Sequence, residues 1–235
     1  MRVLAIDTSS IVASVAIVEE EKLVAEFTIN NKKTHSQTLL PMLEQMVKFA
    51  DVSLESVDAI AISGGPGSFT GLRIGAATAK GLGLALNKPL IHVPTLKALA
   101  YNMVGTSEFI CPIMDARRSQ VYTGIYRFEK DELITEFEDS CIEIQGLFEK
   151  LHELGRSVVF LGDGISTYQS VIEENLKVPY SISCVHHREQ RAAAVGALGL
   201  KYLKEGKTET AAQYKPEYLR LSQAERERAE KQKNA

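Results

Sequence analysis

SGGPGSFTGLRIGAATAKGLGLAL, from Ser63 to Leu86, follows the apolar run Ala59-Ile60-Ala61-Ile62, which reads as a buried strand. Gly64, Gly65, Pro66 and Gly67 then form a turn, and a helix starts near Phe69. Strand, glycine turn and helix in that order aim backbone N–H groups at a phosphate. The phosphate reading is incomplete, because no Lys-Ser or Lys-Thr follows Gly71 and Thr70 stands where a third dinucleotide-binding glycine would fall. The helix says more than the loop. Gly71, Gly75, Ala79 and Gly83 recur every four residues and line one face. Each helical glycine costs about 1 kcal/mol relative to alanine, so close backbone packing must offset the loss. Either a neighbouring element of the same domain or a partner subunit satisfies that requirement. The stripe alone does not choose.

The chain has 235 residues, 45% of them apolar, enough for one large domain or two small ones. A formal net charge of -3 gives no global attraction to nucleic acid, so any RNA contact needs a local patch or a partner. Cys111, Cys141 and Cys184 are scattered with no C-x-x-C pair, the usage of a reducing compartment. The start, Met1 to Asp7, has too few apolar residues for a signal peptide, and no run reaches membrane length. These features predict a soluble cytoplasmic protein.

Upstream of the glycine helix, Arg2–Ile6, Val12–Val18 and Lys22–Ile29 alternate as three strands of an antiparallel meander. Thr34-His35-Ser36-Gln37 fits a capping box, and Pro41 predicts a kink or a late start at Leu40. Leu39, Leu43, Met46 and Ala50 form one stripe of that helix, and Met42, Met46 and Phe49 a second. Two stripes suit a helix sandwiched in its own domain, or one that also meets another protein. Lys88–Val93 reads as a strand and Thr95–Met103 as a helix.

The pattern breaks at Val104–Ser107, which sets a lobe boundary: 1–104, then 105–210, then a C-terminal segment 211–235 that can pack back on the first lobe. Phe109–Met114 and Val121–Phe128 make a hairpin around Asp115-Ala116-Arg117-Arg118-Ser119. A strand at Leu133–Ile144, a helix at Gln145–Leu154 and a strand at Val158–Leu161 entering Gly162-Asp163-Gly164 follow, then an alanine-rich helix Ala192–Lys204. The second half thus echoes the first, a duplicated α/β architecture. Ser222-Gln223-Ala224-Glu225 reads as a capping box opening a charged helix over Glu225–Lys233.

Leu4-Ala5-Ile6-Asp7-Thr8-Ser9, His35-Ser36 through Leu40-Pro41, Gly65 through Gly75, Asp115-Ala116-Arg117 through Tyr122, and Tyr218-Leu219-Arg220 together resemble the TsaB (YeaZ) family. The resemblance spans most of the chain. It implies a two-lobed actin-like (ribonuclease H-like) fold of duplicated βββαβα units. It also implies a role beside the TsaD transferase in threonylcarbamoylation of adenosine 37 in ANN-decoding tRNAs, with a TsaE-type ATPase joining, a homodimer when alone, and tRNA contacted through the complex. By the same resemblance the docking surface is the first two helices, with Leu39, Met42, Met46, Phe49, Gly71, Gly75, Ala79 and Gly83 as its residues. On that reading, a leucine at Gly75 abolishes complex formation and leaves a soluble monomer.

Catalysis is expected to lie in the partner. TsaD-like enzymes carry H-x-x-x-H for a metal, and Thr95 and Leu99 stand at the matching positions. His35, His92 and His152 lack a histidine at i+4, and the adjacent His186 and His187 of a strand-like segment point to opposite faces. No metal site and no catalytic set is predicted. Asp7, Thr8, Ser9, Gly65 and Gly67 are the candidates for a nucleotide site, but Ser9 occupies the glycine position of an actin-like phosphate turn. No cofactor is expected, with an ATP site shared across the partner boundary left open. The rival functions are an actin-like ATPase or small-molecule kinase, and a metallopeptidase.

Overall fold

The structure, a computed structural model, describes residues 1–220. The capping box at Ser222 and the charged helix after it lie outside the described residues. The first sheet contains β1 (Arg2–Asp7), β2 (Val12–Glu19), β3 (Leu23–Asn30), β4 (Ala59–Gly65) and β5 (Leu90–Pro94), in the order β3-β2-β1-β4-β5. The second contains β6 (Phe109–Asp115), β7 (Gln120–Glu129), β8 (Glu132–Glu143), β9 (Val158–Leu161) and β10 (Tyr180–Ile182), in the order β10-β9-β6-β7-β8. Reversed, the second order is the first order repeated strand for strand. Each sheet is an antiparallel meander with one parallel strand paired to its first member and a second parallel strand paired to that. The chain therefore has the two-lobed, actin-like duplicated fold.

Helices α1 (His35–Ala50) and α2 (Phe69–Leu86) cover one face of the first sheet. Strand alternation fixes which residues they meet: Leu4, Ile6, Ile60 and Ile62 face these helices, while Val3, Ala5, Ala59 and Ala61 face the other side. On that other side lies α7 (Ala192–Lys204), so a helix expected with the second lobe packs on the first sheet. Small side chains permit it, because a Cβ on Gly199 would stand 2.6 Å from the Ala61 Cβ. The helix that instead repeats α2 in the second lobe is α5 (Ile165–Asn175), which follows α4 (Ile144–Leu154) and β9. Helix α3 (Thr95–Tyr101) sends Leu96, Leu99 and Ala100 into the core cluster of the second sheet and meets α7. His186 and His187 sit in the single-turn α6 (Val185–Arg188), not in a strand, with ring centroids 4.0 Å apart.

Helix α1 runs unbroken through Pro41 from His35, before the expected late start at Leu40. Its capping box does not form: Thr34 makes no side-chain cap bond to the helix and its hydroxyl lies against Ser36 Oγ. After α7 the chain turns back over the first lobe as a strap. Glu209 exchanges backbone hydrogen bonds with Leu90, Tyr214 is buried beside α2, and Glu217 N–H donates to the Gly64 carbonyl. The strap ends in the second lobe, where the Arg220 guanidinium donates to the Ala116 carbonyl. Among the described residues no helix is long and apolar enough to cross a membrane.

Candidate functional site

Two surfaces meet the requirements of a site: the outer face of α1 and α2, and the cleft between the lobes. The small-residue stripe of α2 belongs to neither. A Cβ added at Gly71 would collide with the Thr8 carbonyl and one at Gly75 with Thr8 Oγ1, while Ala79 is fully buried and Gly83 abuts Leu90. The close partner of the stripe is the β1–β2 turn and β5 of its own lobe. Leu39, Met42 and Met46 likewise point into the lobe core, with exposures of 1, 5 and 0%. The expected docking set is therefore corrected. Leu39, Met42, Met46, Gly71, Gly75, Ala79 and Gly83 hold the two helices on their own sheet, and only Phe49 of that set faces solvent.

What α1 and α2 present outward shares only Phe49 with that set. Phe49 is 75% exposed, Leu84 72% and Leu40 55%. Beside Leu40 runs a groove of about 580 Å³ lined by Pro41, Leu43, Val47 and Leu54, with Glu44 and Lys48 at its polar side. Leu40, Leu43 and Val47 sit at i, i+3 and i+7, so a third stripe on α1 was readable in the sequence. Met42 and Met46 on the inner face mask it in the sequence.

The cleft, about 830 Å³, lies between the β1–β2 turn, the start of α2 and the β6–β7 turn. Its floor is closed by its own hydrogen bonds. Buried Asp7 accepts from Ser9 N–H at 2.9 Å and Ser9 Oγ at 2.7 Å, and burial raises its carboxyl pKa above the ordinary carboxylate range. Thr8 Oγ1 donates to the Gly71 carbonyl at 2.8 Å, Ser68 N–H to the Ser9 carbonyl at 2.7 Å, and Gly71 N–H to Ser68 Oγ at 3.3 Å. Gly67 is a glycine because the Ser9 backbone presses on it, and Gly65, at φ 125°, because the Glu217 carbonyl does. The Ser9, Gly65, Ser68 and Gly71 amides are thus engaged by the protein itself.

The second lobe brings Asp115 and Asp163 to the same cleft. Asp115 Oδ1 accepts from Arg117 N–H at 2.8 Å and from the Tyr168 hydroxyl at 3.2 Å. Burial, then the nearby charges of Glu189 and Asp115, push Asp163 up to about 7. Among the described residues no group of three or more His, Cys, Asp or Glu side chains is placed to hold a metal. Thr95 and Leu99, at the positions matched to a metal-binding histidine pair, are structural. Thr95 Oγ1 is 2.9 Å from Ser63 Oγ and accepts from Gly65 N–H at 3.1 Å, and Leu99 is in the core. His92 lies below α2's entry turn, packed against Gly64, where burial lowers its pKa.

Comparison with known proteins matches residues 22–228 to the TsaD family, described as tRNA N6-adenosine threonylcarbamoyltransferase. The tRNA threonylcarbamoyladenosine biosynthesis protein TsaB of Bacillus subtilis is 34% identical over 99% of this chain and 100% of its own. The protein of the same name from Escherichia coli is 31% identical over 74% of this chain and 77% of its own. Among solved structures, YeaZ from Pseudomonas aeruginosa superposes with a TM-score of 0.74 at 28% identity, covering 93% of this chain and 99% of that one.

Proposed function

The chain belongs to the TsaB family of tRNA threonylcarbamoyladenosine biosynthesis proteins, and we propose that it serves there as a non-catalytic subunit that docks a TsaD-type transferase on the outer face of α1 and α2. The observation that carries this reading is the exposure of Leu40, Phe49 and Leu84 on two helices whose inner faces are already filled. Covering such side chains is worth about 1.5–3 kcal/mol each, and a few buried residues carry most of an interface's energy. The occupant is a TsaD-type subunit because the TsaD family model matches most of this chain, so such a subunit has a related lobe with its own two-helix layer. Two such layers can meet face to face about a pseudo-twofold axis, and the same geometry supports a homodimer when the partner is absent. A TsaE-type ATPase then joins in the cytoplasm. The chemistry belongs to the transferase: Thr95 and Leu99 stand where the resemblance puts its histidine pair, Thr95 hydrogen-bonding to Ser63 and Gly65 and Leu99 packed in the core.

The test is reconstitution: TsaD-type transferase, TsaE-type ATPase, threonylcarbamoyl donor and unmodified ANN-decoding tRNA, with and without this chain. Modification is expected only when the chain is present, and none from the chain alone. Equal modification without it, or any by the chain alone, overturns the reading.

A further inference from the structure

We propose that the mouth of the interlobe cleft binds the phosphates of a single-stranded RNA segment, held between Lys32 and Lys33 of the first lobe and Arg117 and Arg118 of the second. The proposal rests on the tRNA-modification reading above and adds to it a direct RNA contact by this chain. Lys32 and Lys33 lie on the β3–α1 turn, Arg117 and Arg118 on the β6–β7 turn, and Arg220 at the end of the strap; all five line one cleft. In a chain of net charge -3 this is a local reversal of sign. Among the described residues, none of the four turn cations has an ion-pair partner, whereas Arg2, Arg127, Arg191, Lys201, Lys204 and Lys207 all do. All four are exposed. Arg117, Arg118 and Ser119 take φ of 62°, 55° and 59°, a left-handed run that L residues adopt at a cost of about 1–2 kcal/mol each.

The two carboxylates in the cleft oppose an anion less than their formal charge suggests. Asp115 is occupied by Arg117 N–H and the Tyr168 hydroxyl, and burial together with the charges of Glu189 and Asp115 favours the neutral form of Asp163. A buried phosphate is less well served, because the Ser9, Ser68 and Gly71 amides at the floor already donate to Asp7, Ser9 and Ser68. What is left is cationic walls at the rim, which suit a chain of phosphates passing across rather than one phosphate buried. An aromatic ledge borders the same rim. Phe69, in the cleft wall, stacks on Tyr218 with centroids 4.6 Å apart and planes 4° from parallel, and Arg73 lies 5.9 Å from the Tyr218 ring. Tyr218 stays 38% exposed, a surface on which an unpaired base can stack.

The experiment measures binding of the full chain to a labelled unmodified tRNA transcript by fluorescence anisotropy across a salt series. The comparison is a variant carrying K32Q, K33Q, R117Q and R118Q. Glutamine keeps side-chain length, and these surface turns tolerate it, which a melting curve verifies. Five phosphate contacts predict a log affinity against log salt slope of about -3.5, falling to about -0.7 in the variant, with affinity at low salt down at least about tenfold. Unchanged affinity and slope in the variant overturn the site, as does a wild-type chain that binds no tRNA. Displacement of the RNA by ATP at equal phosphate concentration overturns it too, since the occupant is then a nucleotide. Pairing with a TsaD-type subunit is read separately by gel filtration. A chain that pairs but binds no RNA sinks this site and leaves the docking reading standing. A chain that binds RNA but does not pair does the reverse.

Discussion

Gly75→Ala is the sharpest perturbation the fold offers. A Cβ there would sit inside the contact distance of Thr8 Oγ1 and 3.3 Å from Ile62 Cδ1. Thr8 is 1% exposed and its hydroxyl donates to the Gly71 carbonyl at 2.8 Å, so it cannot turn away without breaking that bond. Overpacking costs about 1–3 kcal/mol and the lost hydrogen bond about 1 more, against about 1 kcal/mol gained in helix propensity. The net destabilisation is about 1–3 kcal/mol, or a melting temperature lower by roughly 3–10 °C for a chain this size. Gly81, on the same helix, is the internal control: a Cβ there meets nothing within 4 Å. Gly81→Ala should therefore stabilise by about 0.5–1 kcal/mol. Differential scanning calorimetry of both variants reads the opposite signs directly. If Gly75→Ala melts at or above the wild-type temperature and loses its partner instead, the stripe faces outward and the packing argument fails. With the stripe packed inward, a leucine at Gly75 should unfold the lobe rather than yield the soluble, partnerless monomer that sequence alone predicts.

Thr95→Ala removes the hydroxyl that meets Ser63 and Gly65 N–H inside the lobe, and urea titration should show a loss of about 1–3 kcal/mol. Asp163 gives a pH signature. Its folded pKa, about 7, lies above the unfolded value near 3.8, so the native state holds the proton more tightly and stability falls as pH rises through that window. Asp163→Asn should remove the fall, widening its stability margin over wild type by about 1–3 kcal/mol between pH 5 and pH 8; a margin that shrinks with pH contradicts the assignment.

The strands were legible because a half-buried sheet writes period two into the chain, and Asp7 and Asp115 punctuate two matching hairpins. The glycine repeat of α2 was legible as a face, but sequence cannot say what a face meets. The answer, Thr8 and Leu90, depends on the β1–β2 turn and β5 arriving beneath it. Chain order placed α7 in the second lobe, yet Gly196 and Gly199 carry no mark of the sheet whose Val18 and Ala61 they fit. Helix α5 was missed because its core contacts, Ile165, Tyr168 and Ile172, make too thin a stripe among polar residues. The outward residues Leu40 and Leu84 were hidden by richer inner faces. Lys32 and Arg117 are joined only by topology, since the β3–α1 turn of one lobe and the β6–β7 hairpin turn of the other form the two walls of one cleft.

Docking itself is tested most directly by gel filtration of the chain with a TsaD-type subunit, comparing wild type with Phe49→Asp/Leu84→Asp. Both side chains are about three-quarters exposed, so the charges should leave the melting temperature within a few degrees of wild type. The account predicts a co-eluting complex for the wild type and two separate peaks for the variant. A variant that melts normally and still co-elutes would place the partner on some other face and contradict it.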